Sequence, residues 1–222
     1  KGSFPNRIFG FIVTIFIALA YSGIYSHHQI TVLGLCCLAV ISLFIIEIIN
    51  SKKEPLHNIA NTILGILFVP TLLGTIIHLR QLEHIYYSNI TLLLFISVWL
   101  CDTAAFVFGT KFGKKKILPN ISPKKSWVGS ISGFIASVLT FFIAFKLDYL
   151  GGNYSLNDSL VFGFISGVFG QFGDFGESLL KRDAGVKDSG DILRGHGGIL
   201  DRFVCLLFSS QMIYLYLLVF NY

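Results

Sequence analysis

Seven long apolar runs alternate with short polar stretches along the chain, at about 8–25, 30–49, 59–79, 85–108, 127–147, 160–180 and 203–220. Each approaches the roughly 20 residues that a helix needs to cross a bilayer core of about 30 Å. Short segments that alternate apolar and polar residues, the mark of a membrane β-barrel, do not occur. The pattern predicts an all-α fold, a polytopic membrane helix bundle of about seven transmembrane helices forming one integral-membrane domain over 1–222. The first run is too long, and too poor in a cleavage site, to read as a signal peptide. The chain begins with Lys1 rather than Met, which leaves room for a preceding segment, a further span included. In the sixth run Gly163, Gly167, Gly170, Gly173 and Gly176 recur three or four residues apart, a smooth helix face that another backbone can approach closely. That face would serve either a helix of the same chain or a second copy in a homodimer.

Composition points to lipid as the main solvent. Hydrophobic residues make up 54% of the chain and charged residues 13%, with a mean hydropathy of +0.72; soluble domains run near 45–50% apolar and about 25% charged. Disordered, collagen-like, coiled-coil and disulfide-stapled classes are excluded on the same grounds. Seven spans would consume ~140 residues, so any chemistry must come from loops and helix ends. Cys36, Cys37, Cys101 and Cys205 form no CxxC pair and read as small buried hydrophobes.

Charge then orients the chain. With a cytoplasmic N-terminus, all of the 17 Lys and Arg residues except Arg80 and Lys146 fall on the inner side, as the excess of basic residues in cytoplasmic loops requires. Two inner loops stand out, 109–126 (GTKFGKKKILPNISPKKS) and the segment 181–202. A net charge of +5 in a membrane chain suits the cytoplasmic side or phosphate groups and carries no expectation of nucleic acid.

Acids inside apolar runs are costly and demand a reason. Asp102 and Asp174 sit near the cytoplasmic ends of the fourth and sixth runs, and Asp201 opens the seventh beside Arg202. Asp174, Ser178 and Lys181 share one helix face at spacings of four and three. Carboxylates from two helix ends facing one pocket suit Mg²⁺, which takes oxygen ligands and keeps waters or phosphate oxygens. The plainer reading makes each acid a helix cap or half of an ion pair. Lys114, Lys115 and Lys116 read equally as a solvated topology signal, and Glu47 as a snorkelling or paired residue. The turn His196-Gly197-Gly198 leads into a helix N-terminus, where converging backbone N–H groups favour an anion; as two glycines alone it is also simply a flexible turn. The acids cluster at one membrane face, apart from Glu47, which argues against a transporter.

The stretch 178–202, SLLKRDAGVKDSGDILRGHGGILDR, resembles the signature of the phosphatidate cytidylyltransferases, or CDP-diacylglycerol synthases. The matching residues are Ser178, Lys181, Arg182, Lys187, Asp188, Gly190, His196, Gly197, Gly198, Asp201 and Arg202. Ser122-Pro123-Lys124-Lys125-Ser126-Trp127, and Asp102-Thr103-Ala104-Ala105-Phe106 followed by Gly109, are similar to further stretches of that family. The resemblance covers about the C-terminal 125 residues.

It implies a polytopic membrane enzyme, a nucleotidyltransferase of phospholipid biosynthesis. Such an enzyme takes CTP and phosphatidic acid as substrates and releases CDP-diacylglycerol and pyrophosphate with Mg²⁺, with room for a second, monovalent cation. It implies the bacterial inner membrane, with the N-terminus and both active-site loops cytoplasmic. The family's metal-binding aspartates carry over to Asp174 and Asp201. Lys181, Arg182, Lys187 and Arg202 would hold phosphates, Asp188 would orient Lys187 or serve the metal, and His196, Gly197 and Gly198 would cradle the triphosphate. Ser122, Ser178, Lys124, Lys125 and Trp127 would line the nucleotide or headgroup site, although Trp127 also suits an interfacial anchor.

Three positions depart from the family pattern: Val204 and Val128 stand where it has acids, and Arg194 precedes the histidine turn. Two missing carboxylates weigh against full activity. They keep open a catalytically impaired relative that binds phospholipid or nucleotide. A CTP-dependent enzyme for another lipid phosphate, such as an isoprenoid phosphate, is a further alternative.

Overall fold

The computed structural model describes residues 4–21, 28–50, 54–86, 88–151, 154–190, 198 and 200–220. These form α1 (Arg7–Tyr21), α2 (His28–Asn50), α3 (Pro55–Ile66), a π-helical stretch (Leu67–Thr71), α4 (Leu72–Tyr86), α5 (Ile90–Phe112), α6 (Trp127–Lys146), α7 (Leu156–Asp183) and α8 (Leu200–Val219). Among the described residues there is no strand, only isolated bridges between Ser88 and Gly151 and between Lys116 and Ser126. Thr31–Asn50, Ile90–Phe112, Trp127–Lys146 and Leu200–Val219 are long and apolar enough to cross a membrane. The chain is an all-α integral membrane protein.

Two apolar runs differ from the helices they predict. The third is not one regular helix: Pro70 lies within the π-helical stretch between α3 and α4, where a missing N–H breaks the regular hydrogen-bond ladder. The helix of the fourth run, α5, starts at Ile90 rather than near residue 85. Asn89 is held outside it, donating from its backbone to Leu150 (2.9 Å) and from its side chain to the Tyr149 carbonyl (2.9 Å).

The chain divides into two compact units, 1–78 and 79–222. In the first, α1, α2 and α3 meet around Ile17, Leu43 and Ile66. Glu47 is buried there, and its partners are amides: Asn6 Nδ2 donates to one carboxylate oxygen (3.0 Å) and Asn58 Nδ2 to the other (3.4 Å).

In the second unit α7 packs between α6 and α8. Ser155 and Asp158 cap it reciprocally, and Asp158 also accepts from the Tyr216 hydroxyl of α8 (2.5 Å). The glycine face of α7 serves two neighbours of the same chain. A Cβ at Gly163 would lie 2.6 Å from Val138 Cα of α6, and one at Gly173 would lie 2.8 Å from the Val204 carbonyl of α8. Buried serines join the contacts: Ser97 and Ser166 hydroxyls are 2.8 Å apart, linking α5 to α7. Small residues that let backbones close, with hydroxyls bonded between them, hold helices together where lipid offers no hydrophobic drive.

Candidate active site

The site begins where α5 ends and α6 starts. Gly109 and Gly129 bring the two helices together so closely that a Cβ at Gly129 would lie 2.7 Å from the Ala105 carbonyl. The intervening loop folds back on itself. Trp127 N donates to the Lys115 carbonyl (3.1 Å), Ile117 N to Lys125 (3.2 Å), and Ser122 N to Leu118 (2.8 Å). Ser126 then caps α6 by accepting from Gly129 N (3.3 Å). This fold-back delivers Lys125 to α7.

Lys125 Nζ lies 2.6 Å from Asp174 Oδ2 and 4.4 Å from the centre of the Phe175 ring. The other Asp174 oxygen accepts from the Cys205 thiol of α8 (2.7 Å). Asp102 approaches from α5, and one ligand atom from each of Asp102, Asp174 and Cys205 lies within 4.8 Å of the others. Asp102 makes no hydrogen bond or ion pair of its own among the described residues, although the charges of Lys125 and Arg202 reach it. These carboxylates line a cleft of about 630 Å³ whose wall includes Lys116, Lys124, Lys125 and Gln171. Gln171 is fixed by donating to the carbonyls of Ser130 (3.0 Å) and Gly167 (2.8 Å). The cleft therefore combines a pair of acids at its wall with lysines around it. Such a lining offers complementary charge both to an anion and to a cation.

A second cluster forms where α7 meets the start of α8. Asp201 Oδ1 receives Lys181 Nζ (2.5 Å). Its Oδ2 accepts from Ser189 N (2.9 Å), Ser189 Oγ (2.6 Å) and Gly198 N (2.7 Å). Lys181 also contacts Glu177, one turn earlier on α7 (3.4 Å), and Glu177 is buried. The segment after α7 turns at Gly185, whose φ of +72° suits glycine, and is then tied to α8 through Asp201.

The structure thus joins Asp174 with Lys125, and Lys181 with Asp201 and Gly198, as two clusters. Lys124 lies in the wall of the cleft, whereas Trp127, half exposed at the first turn of α6, does not line it. Ser122 supports the loop turn, and Ser178 is half-buried on α7. Arg182, Lys187, Asp188 and Arg202 are exposed. His196, Gly197 and Arg194 lie outside the described residues. Val128 is exposed and does not line the cleft, whereas Val204 is fully buried where α8 crosses Gly173.

Sequence reasoning did not assign Cys205, Gln171 or Phe175 to the site. A thiol in an apolar run gives no signal beyond packing. Asp102 did give one, as an acid within an apolar run, but its role depends on a neighbour 72 positions away.

Comparison with known proteins bears on this arrangement. The family described as "Cytidylyltransferase family" matches residues 2–220. A phosphatidate cytidylyltransferase of Haemophilus influenzae is 37% identical over 170 residues, 72% of this chain and 59% of the relative. One from Staphylococcus saprophyticus is 43% identical over 122 residues, 55% of this chain and 46% of the relative. The chloroplastic phosphatidate cytidylyltransferase 4 of Arabidopsis thaliana is 44% identical over 124 residues, 56% of this chain and 31% of the relative. In each case less than two thirds of the relative's length is spanned.

Proposed function

The chain belongs to the cytidylyltransferase family, and from that premise we propose that it transfers a cytidylyl group from CTP to phosphatidate, giving CDP-diacylglycerol and pyrophosphate. The observation that carries this reading is the cleft in which Asp102 and Asp174 face Lys124 and Lys125 at one end of the α5–α8 helices. The names of its relatives supply the substrates. We place the chain in the bacterial inner membrane with this end cytoplasmic, as its basic loops favour.

In the proposed reaction a phosphate oxygen of phosphatidate attacks the α-phosphorus of CTP. The new P–O bond forms as the bond to the β-phosphate breaks, and pyrophosphate leaves with that electron pair. Both reactants are anionic, so the main work is neutralising charge and aligning groups. Lys124 and Lys125 would meet the triphosphate; Lys125 swings from Asp174 to do so. Arg182, Lys187 and Arg202, on the polar segments beside α7 and α8, would hold the lipid phosphate or the leaving pyrophosphate.

The donors suit Mg²⁺: Asp102 and Asp174 offer adjacent carboxylates open to a cleft, and an ion there would be completed by water or phosphate oxygens. When bound, the ion supplies charge neutralisation and a fixed orientation for the phosphates. Asp174 is the primary ligand in this reading. Asp201 is the second candidate ligand: its Oδ2 takes three donors, whereas Oδ1 takes Lys181 alone and keeps a lone pair for an ion.

Membranes carrying the full chain test the proposal. With labelled CTP, phosphatidate and Mg²⁺, CDP-diacylglycerol and pyrophosphate should appear in equal amounts, and chelation should stop both. Absence of pyrophosphate release under these conditions overturns the enzyme reading. Faster turnover with an isoprenoid phosphate than with phosphatidate overturns the choice of lipid.

A further inference from the structure

Between Asp102 and Asp148 the chain carries seven lysines and no acid. Lys146 lies at the far end of α6, and the other six sit on or beside the loop that joins α5 to α6. Lys116, Lys124 and Lys125 line the cleft. Lys111, Lys114 and Lys115 are exposed, do not line it, and pair with no carboxylate among the described residues. We propose that these three lysines, with the aromatic rings beside them, form a docking surface for the headgroups of acidic phospholipids.

The loop joins neighbouring ends of two helices long and apolar enough to cross a membrane, Ile90–Phe112 and Trp127–Lys146. Its lysines therefore stand at headgroup depth. They are carried on a built scaffold: Lys114 N donates to the Phe112 carbonyl (3.0 Å), the Lys115 carbonyl accepts from Trp127 N (3.1 Å), and Lys116 bridges to Ser126. Exposed rings mark the boundary on both helices. Phe108 stacks on Phe112 at the end of α5 (centroids 6.3 Å apart), Lys111 Nζ lies 5.5 Å from the Phe112 ring centre, and Trp127 opens α6. Rings at the acyl boundary with uncompensated ammonium groups beyond them match an acidic lipid at both of its ends.

The other polar segment does not offer this. Residues 181–202 carry five bases and four acids, so most of its field is cancelled close to the surface. Lys116 continues the loop surface into the cleft, its Nζ donating to the Lys124 carbonyl (3.3 Å). Acidic lipid gathered on the loop lies beside the proposed reaction site. That consequence rests on the proposed reaction; the docking surface does not, and its test contains neither CTP nor phosphatidate.

Trp127 is a reporter within the surface, and Trp99 is the only other tryptophan. The full chain with Trp99→Phe is reconstituted in phosphatidylcholine vesicles. Its fluorescence is quenched by added phosphatidylglycerol or phosphatidylcholine, each brominated near the headgroup end of one acyl chain. Brominated phosphatidylglycerol should reach half-maximal quenching at a mole fraction about fivefold lower or less. About 1 M sodium chloride, which shortens the Debye length to about 3 Å, should erase the difference. Lys111→Gln, Lys114→Gln and Lys115→Gln together should erase it too, with quenching by brominated phosphatidylcholine unchanged.

Equal quenching by the two lipids at low salt overturns the proposal. So does the same preference at Trp99 in a Trp127→Phe chain, which makes it a property of the whole lipid-facing perimeter. Inorganic phosphate that abolishes the preference, at an ionic strength where sodium chloride leaves it intact, makes the loop a free-anion site and overturns the lipid assignment. The lipid and salt comparisons use no lysine variant, so they decide the matter even if the triple variant does not fold.

Discussion

The two carboxylate clusters of the α5–α8 region are built from similar residues and behave oppositely. At Asp201 a single carboxylate takes four hydrogen bonds, three on Oδ2 from Ser189 and Gly198 and one on Oδ1 from Lys181. At Asp174 and Asp102 two carboxylates share one lysine and one thiol, beside an open cleft. These donors make the first a clasp that fixes the segment after α7 to the start of α8. Fewer partners and an open cleft leave the second more room for a ligand. Residue type does not separate the two clusters; the number of donors does.

The largest expected effect comes from the open cluster. Asp174→Asn should lower kcat/KM by roughly 10²–10³-fold, the scale of losing one preorganised charge at a reacting centre, with little change in thermal stability. Asp201→Asn should act the other way round. Loss of charge-assisted hydrogen bonds costs roughly 1.5–3 kcal/mol each, so the melting temperature should fall and turnover should follow it. If Asp201→Asn keeps its stability yet loses Mg²⁺-dependent turnover, Asp201 is a metal ligand and the contrast collapses.

Gly198→Ala probes the clasp without touching charge. The added Cβ would lie 2.9 Å from Gly190 N and press on the Ser189 hydroxyl, and overpacking of this kind costs about 1–3 kcal/mol, visible in thermal unfolding. Lys125→Gln should raise KM for CTP about tenfold in initial-rate assays while shifting stability by less than ~1 kcal/mol, since this half-buried pair is partly screened by water. Val128→Glu restores a family acid at an exposed position outside the cleft. Surface changes of this sort stay within about 0.5 kcal/mol, so turnover should move no more than about twofold.

Much of this molecule was legible before its structure. Apolar runs located α6, α7 and α8 closely because each is bounded by an unmistakable polar segment, and the glycine face of α7 was visible from spacing alone. Which helix it met was not, because three- and four-residue spacing marks a face without naming a partner. The third run hid a break because hydropathy does not register a missing N–H, so Pro70 passed as one more tolerable residue. Asn89 likewise gave no sign that it would bond to residues near 150 and delay α5. In the site, Asp174 and Lys125 were both singled out, yet their contact depends on a loop that folds back through its own backbone bonds. Cys205 was read as packing because a thiol among Leu and Phe looks the same whether it faces a methyl group or a carboxylate. Conversely, the sequence leaves Glu47 either snorkelling or paired, and only the folded chain shows it paired with Asn6 and Asn58.

The glycine face of α7 also bears on how the protein meets membranes of different thickness. A helix packed through side chains can slide past its neighbours by re-pairing them. Gly163 and Gly173 instead sit in near contact with the backbones of α6 and α8, and rotation of α7 about its own axis would drive bulky neighbours such as Phe164 or Phe172 into those places. Such contacts favour tilting α6, α7 and α8 as one unit where the bilayer is thinner or thicker, the usual response to mismatch. A common tilt would keep Asp174 and Cys205 at their spacing, so the end of the bundle that carries them would be insulated from the length of the lipid tails around it.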